Sequence, residues 1–152
     1  QKTGDSIERI GIDSTQRVYF EMTVDTTGQL LQGTSVRKYV YDSDGNYIIM
    51  LQSADGESLT HPNGAHYCFI VPGPSDRFVR KAWLDADGII LEEERRSYDQ
   101  VGRLVSEGYV DPVTGSYTLE YRHRYSSDGK TQFTAEFTNG IQQGPELSSE
   151  IE

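Results

Sequence analysis

The sequence predicts an all-β domain: an antiparallel meander of about eight or nine strands joined by Asp-x-x-Gly hairpin turns, forming a single or partly closed sheet. Three observations predict it. A turn motif recurs along the chain, the segments between its copies alternate with a period of two, and no segment of a dozen residues carries an apolar stripe of helical period.

The motif is an apolar or aromatic residue, then Asp or Ser, two variable residues, and Gly. Its copies are Val24-Asp25-Thr26-Thr27-Gly28, Tyr41-Asp42-Ser43-Asp44-Gly45, Leu84-Asp85-Ala86-Asp87-Gly88, Tyr98-Asp99-Gln100-Val101-Gly102 and Tyr125-Ser126-Ser127-Asp128-Gly129. Gln52-Ser53-Ala54-Asp55-Gly56 replaces the aromatic residue, and Val110-Asp111-Pro112-Val113-Thr114-Gly115 is one residue longer. An Asp or Ser at the first turn position accepts a backbone N–H two residues on, and a Gly at the fourth tolerates positive φ. Together they specify a type I turn closed by a left-handed Gly bulge. The glycines at 88, 102, 115 and 129 leave room between turns for one strand each, which is the spacing of a meander.

The strands follow from alternation. Val18, Phe20, Met22 and Val24 share one side of their segment, as do Phe133, Ala135 and Phe137 of theirs. Tyr117, Leu119, Tyr121, His123 and Tyr125 oppose Thr118, Glu120, Arg122 and Arg124, an apolar or tyrosine-rich face backed by a charged one. Tyr47 to Leu51, Tyr67 to Val71 and Phe78 to Leu84 are further strands. Helix is expected to be minor: Ser6 to Ile12 offers at most one turn. Asp55 to His66 and Pro72-Gly73-Pro74 read as loops. Residues 1–140 are read as one β-repeat domain and 141–152 as a loosely held tail.

Composition bounds the function. Only 35% of the 152 residues are hydrophobic, so the core must be thin, and ten tyrosines suit a half-wet sheet. A net charge of −10 opposes phosphate backbones and anionic lipid, so nucleic acid is not an expected partner. No apolar run is long enough to insert in a membrane. A first residue of Gln instead of Met is compatible with signal-peptide removal, and the expected location is extracellular, cell-surface or periplasmic. Cys68, the lone cysteine, reads as a small buried hydrophobe within Tyr67-Cys68-Phe69-Ile70-Val71.

Tyr98-Asp99-Gln100-Val101-Gly102-Arg103-Leu104 resembles the unit of YD-repeat (Rhs-type) proteins in full, and Tyr41-Asp42-Ser43-Asp44-Gly45 matches it as far as the Gly. Asn139-Gly140-Ile141-Gln142-Gln143-Gly144-Pro145 is similar to MORN-variant repeats of exported bacterial proteins. These resemblances imply a bacterial repeat-β scaffold or recognition module. They supply no family catalytic residue.

Several clusters of side chains carry the chemistry of possible sites. Asp42-Ser43-Asp44-Gly45-Asn46 and Asp85-Ala86-Asp87-Gly88 gather oxygens as calcium loops do, but Tyr47, Ser53 and Ile89 occupy places where such a loop needs Gly, Glu and an oxygen ligand. They read as turns. His61, His66 and Cys68 lack a zinc spacing, and the two histidines read as solvated loop residues. In Glu92-Glu93-Glu94-Arg95-Arg96, alternation puts Glu92, Glu94 and Arg96 on one face and Glu93 with Arg95 on the other, as cross-strand ion pairs. No nucleophile elbow, phosphate loop or dinucleotide fingerprint occurs, so no enzyme activity, cofactor or metal is expected. The candidate binding residues are Tyr39, Tyr41, Trp83, Tyr98, Tyr109, Tyr117, Tyr121 and Tyr125, an aromatic sheet face for stacking on sugars or anchoring a protein. The expected function is a non-enzymatic scaffold or recognition module with a protein or glycan partner, and a homodimer through sheet edges is open to it. The alternative is a small apolar-ligand carrier, a closed barrel lined by Phe20, Met22, Phe69 and Phe78.

Overall fold

The structure, a computed structural model, describes residues 6–13, 18–24, 27, 35–53 and 55–151, the first two segments as backbone alone. It is an all-β antiparallel meander; among the described residues there are thirteen strands and no helix. The contacts divide the chain into two compact units, Gln1–Val71 with Trp83–Ile89, and Pro72–Ala82 with Ile90–Glu152.

The first unit holds β1 (Ser6–Asp13), β2 (Val18–Val24), β3 (Val36–Tyr41), β4 (Tyr47–Gln52), β5 (Ser58–Leu59) and most of β6 (Tyr67–Pro72). Its hydrogen-bonded order is β1-β2-β3-β4-β6, with β5 also on β4. Ser6 to Ile12 is therefore strand where at most a helical turn was expected. Pairing decides it, because β1 runs against β2 from Ser6↔Val24 to Asp13↔Val18. Of the expected turn at Val24 to Gly28, residues 25, 26 and 28 lie outside the described residues, as do the side chains of Phe20 and Met22.

β7 (Phe78–Leu84) gives Phe78–Ala82 to the second unit. That unit continues with β8 (Ile90–Tyr98), β9 (Leu104–Val110), β10 (Tyr117–Tyr125) and β11 (Thr131–Thr138). β12 (Ile141–Gln142) and β13 (Leu147–Glu150) follow, both paired with β11 and exposed throughout. The segment read as a loose tail thus carries two short strands. They and β1 and β5 raise the count above eight or nine. In neither unit do the first and last strands of the order pair, so the sheet is not closed.

The repeated turns take the geometry their residues specify. Asp42 N donates to Asn46 O and Gly45 N to Asp42 O, and the same pair of bonds recurs from Ser53, Asp85 and Asp99. The Asp or Ser side chain caps each turn: Asp99 Oδ1 accepts from Val101 N at 3.0 Å and Arg103 N at 2.9 Å, and Ser53 Oγ from Glu57 N at 3.1 Å. Among the described residues the closing glycines all have positive φ, Gly102 for instance +83°. A further copy is His61-Pro62-Asn63-Gly64, with His61 N bonded to Ala65 O and Gly64 N to His61 O. Histidine occupies the Asp place, and Asn63 Oδ1 takes over the cap by accepting from Ala65 N. That substitution hid the turn in the sequence.

The core is thin, as the composition requires. Val36, Ala65, Cys68 and Ile70 are buried in the first unit. The second buries Ala82, Val110 and Ala135 together with the carboxylates of Glu93 and Glu120.

Candidate functional site

The register distributes the eight aromatic residues among separate places. In the first unit Tyr39↔Ile49 and Tyr41↔Tyr47 put Tyr39 and Tyr41 on one face. Tyr47, which the sequence reading left out, joins them, with ring centroids 4.9 Å from Tyr41 and 6.0 Å from Tyr39. Trp83 meets the His61 ring edge-on at 4.9 Å. His61 is therefore buried, and its Nε2 donates to Ile49 O at 3.1 Å. His66 is half-buried. The expectation of two solvated histidines is corrected by that packing.

In the second unit Tyr109, Leu119 and Tyr121 share a face, where Tyr121 pairs with Glu107 on one side and Glu136 on the other. Tyr117 lies beyond a bulge between itself and Leu119. β11 turns its Phe133, Ala135 and Phe137 to the opposite face, where they meet Glu120, Arg122 and Arg124. The reason is a single residue. Ser126 N bonds to Thr131 O, five positions on, where Asp42 and Asp99 bond four positions on. The longer loop inverts which residues face together, because strand side chains alternate with a period of two.

Tyr98 and Tyr125 are the two predicted tyrosines that meet in a concave site. They line an open cleft of about 660 Å³ in the second unit, beside the turns at Gly102 and Gly129. Both phenols are committed: Tyr98 Oη donates to Phe78 O at 3.1 Å and Tyr125 Oη to Leu104 O at 2.8 Å. The rings are thereby fixed. Three arginines join them, Arg77, Arg96 and Arg103, none of which was expected to be a binding residue.

Each arginine lies against a ring. Arg103 stands 4.5 Å from the Tyr125 centroid while its Nε reaches Asp99 Oδ2 at 2.8 Å. Arg96 lies 4.4 Å from the Phe78 centroid and pairs with Glu94 at 2.9 Å and Glu107 at 3.5 Å. Arg77 lies 5.6 Å from the Tyr98 centroid, and its Nη1 donates to Gly102 O at 3.2 Å. Among the described residues no carboxylate forms an ion pair with Arg77. Asp99 accepts hydrogen bonds first of all from the Arg103 backbone, which hold its carboxyl below its ordinary value of 3.8 and keep it an anion beside Arg103.

A hint of Arg103 was present, since it follows the Gly of the fullest turn motif. Nothing local marks Arg77, which reaches the site through a turn at Gly73–Arg77, distant in sequence from Gly102. The Glu-Arg run does face as alternation requires: Glu94 bonds Arg96, and Glu93 bonds Arg95. Asp42 and Asp85 each spend one oxygen on backbone N–H groups, Asp42 Oδ1 on Asp44 and Asn46 and Asp85 Oδ1 on Asp87 and Ile89. Cys68 is buried, as read.

Family models give no match to the chain, and no curated protein matches it.

Proposed function

We propose that the chain is a non-enzymatic recognition module, a YD-repeat-like meander of an exported bacterial protein, that holds a protein or glycan partner at the arginine and tyrosine cleft. One observation carries this reading. Arg77, Arg96, Arg103, Tyr98 and Tyr125 converge on one cleft, and the described residues lining it include no Asp or Glu, in a chain that has 24 of them. Its volume of about 660 Å³ falls in the range of ordinary ligand sites.

The groups present are suited to holding a ligand. Tyrosine hydroxyls bound to backbone carbonyls are poor proton carriers, whereas fixed rings and guanidiniums offer stacking surface and donors with little entropy left to lose. The repeated Asp-capped turns support the YD-repeat part of the reading, since they fix the hairpin ends from which the cleft is built. An apolar-ligand carrier needs a closed barrel. The open strand order of each unit favours recognition over it.

Binding of the labelled chain to an array of glycans, beside the Arg77→Ala variant, tests the reading. The expected result is binding to at least one glycan class, lost on Arg77→Ala, with the captured glycan recovered unchanged by chromatography. No capture on the array or on a matching panel of proteins, or capture indifferent to Arg77→Ala, would overturn the cleft as the recognition site. Cleavage of the bound glycan would overturn the non-enzymatic part.

A further inference from the structure

We infer that the cleft takes a carboxylate-bearing sugar unit of an acidic glycan, with Arg77 as the residue that receives the carboxylate. The inference rests on the recognition reading and adds the ligand's chemistry to it.

The charges of the three arginines are not equivalent. Arg96 is neutralised by Glu94 and Glu107, and Arg103 by Asp99. Arg77 is exposed, its side chain engages among the described residues only the carbonyl of Gly102 and the Tyr98 ring, and it so keeps its charge and most of its donors for a ligand. A planar guanidinium fork is matched to a carboxylate, which it binds through two parallel hydrogen bonds. One uncompensated cation calls for one anionic group. A densely charged polyanion would meet the long-range repulsion of a chain with net charge −10.

What carries the carboxylate follows from the rest of the lining. Tyr98 and Tyr125 offer ring surface, Ser75 a hydroxyl and Gln132 an amide, the mixture of stacking and hydrogen bonding that a polyhydroxylated ring uses. A peptide is the poorer fit. Strand addition needs an unpaired edge, and this cleft adjoins the hairpin turns of β8–β9 and β10–β11, whose backbones are already paired.

Arg77 is also held in place by an unusual turn. Gly73 N bonds to Arg77 O at 2.7 Å, and Ser75 and Asp76 between them both have left-handed φ, 54° and 58°. Such backbone is unfavourable for residues with a Cβ. It is retained where the chain must deliver the following side chain to the cleft.

Titration calorimetry of the whole chain tests this with short oligomers of galacturonate, glucuronate-containing and mannuronate chains, their methyl esters, a peptide with a free C-terminal carboxylate, and sodium acetate. At least one acidic oligomer is expected to bind, with at least a tenfold loss on esterification and at least a tenfold loss for Arg77→Gln. Arg77→Lys, which keeps the charge without the fork, is expected to fall between wild type and Arg77→Gln; circular dichroism checks that both variants fold. Equal binding of acid and ester overturns the carboxylate while leaving glycan recognition standing. Tighter binding of the peptide, or acetate as tight as any oligomer, overturns the sugar. No binding by any of these probes overturns the inference, and the wider array then decides the recognition reading separately.

Discussion

The guanidinium carbon of Arg122 stands 4.0 Å from the centroid of the Phe137 ring, and Nη2 of the same side chain reaches Glu120 Oε2 at 2.8 Å. Glu120 pairs across the strands with Phe137, and Arg122 with Ala135, whose small side chain leaves space for the guanidinium to lie over the ring. Arg124 repeats the arrangement over Phe133 at 3.8 Å. A cation over a ring at a partly exposed site contributes about 0.5–1 kcal/mol. A double-mutant cycle between Arg122→Met and Phe137→Leu, read by urea unfolding, is expected to return a coupling of that size. Additive effects would show that the stacking contributes nothing.

That contact marks where the sequence was legible and where it stopped being so. The turns were legible because their chemistry is local: Asp99 caps its own loop and Gly102 closes it. The alternation within β10 and within β11 was legible for the same reason. Which faces of the two strands coincide depends on one loop residue after Gly129, a register detail the motif does not encode. The cleft depended on Arg77, brought to Gly102 from another hairpin, and His61 was hidden because a neighbour's side chain, Asn63, caps its turn.

Glu93 is 2% exposed, and its carboxylate receives two hydrogen bonds from Arg80 at 2.9 and 3.0 Å and one from Arg95 at 2.6 Å. Both arginines are more than a third exposed. The two ends of this network should therefore respond unequally. Glu93→Gln leaves cations that can turn to water, at a cost of about 1–3 kcal/mol. Arg80→Ala leaves a buried carboxylate with one partner, at about 3–5 kcal/mol. Chemical denaturation of the two variants checks the order, and a larger loss for Glu93→Gln would contradict it. Burial alone would raise the Glu93 pKa, but the hydrogen bonds and charges of Arg80 and Arg95 bring it below the ordinary 4.5. The unfolded chain then takes up its proton first on acidification, so this contribution is present above about pH 4.5 and lost as pH falls below it.

Gly108 is buried in β9 and lies against β10. A Cβ at this position would meet the Leu119 carbonyl oxygen and stand 2.8 Å from Glu120 Cα, both backbone atoms of a paired strand. No side-chain rotation relieves that clash. Gly108→Ala is expected to cost about 1–3 kcal/mol, as overpacking does. By contrast, Gly102→Ala meets no neighbouring atom and should cost about 1–2 kcal/mol through its left-handed φ of +83° alone. Melting curves read both. If Gly108→Ala proved neutral, β9 and β10 would have to lie further apart than the structure places them.

His61 gives the fold a pH response of its own. Burial lowers its pKa from the ordinary 6.5; the hydrogen bond to Ile49 O partly opposes this, and the charge of Arg37 adds to the lowering. The folded chain therefore holds the neutral ring while the unfolded chain protonates near pH 6.5, so stability conferred by His61 is complete above that pH and declines as pH falls through the lowered value. His61→Phe keeps a ring edge-on to Trp83 and removes the titration. It also leaves Ile49 O without its donor, a penalty independent of pH. The midpoint of thermal unfolding, measured for both proteins from pH 7.5 to 5, should show a gap that narrows steadily on acidification. Parallel curves would mean that His61 protonates as readily in the folded chain as in the unfolded one, and that its burial beside Trp83 carries no pH dependence.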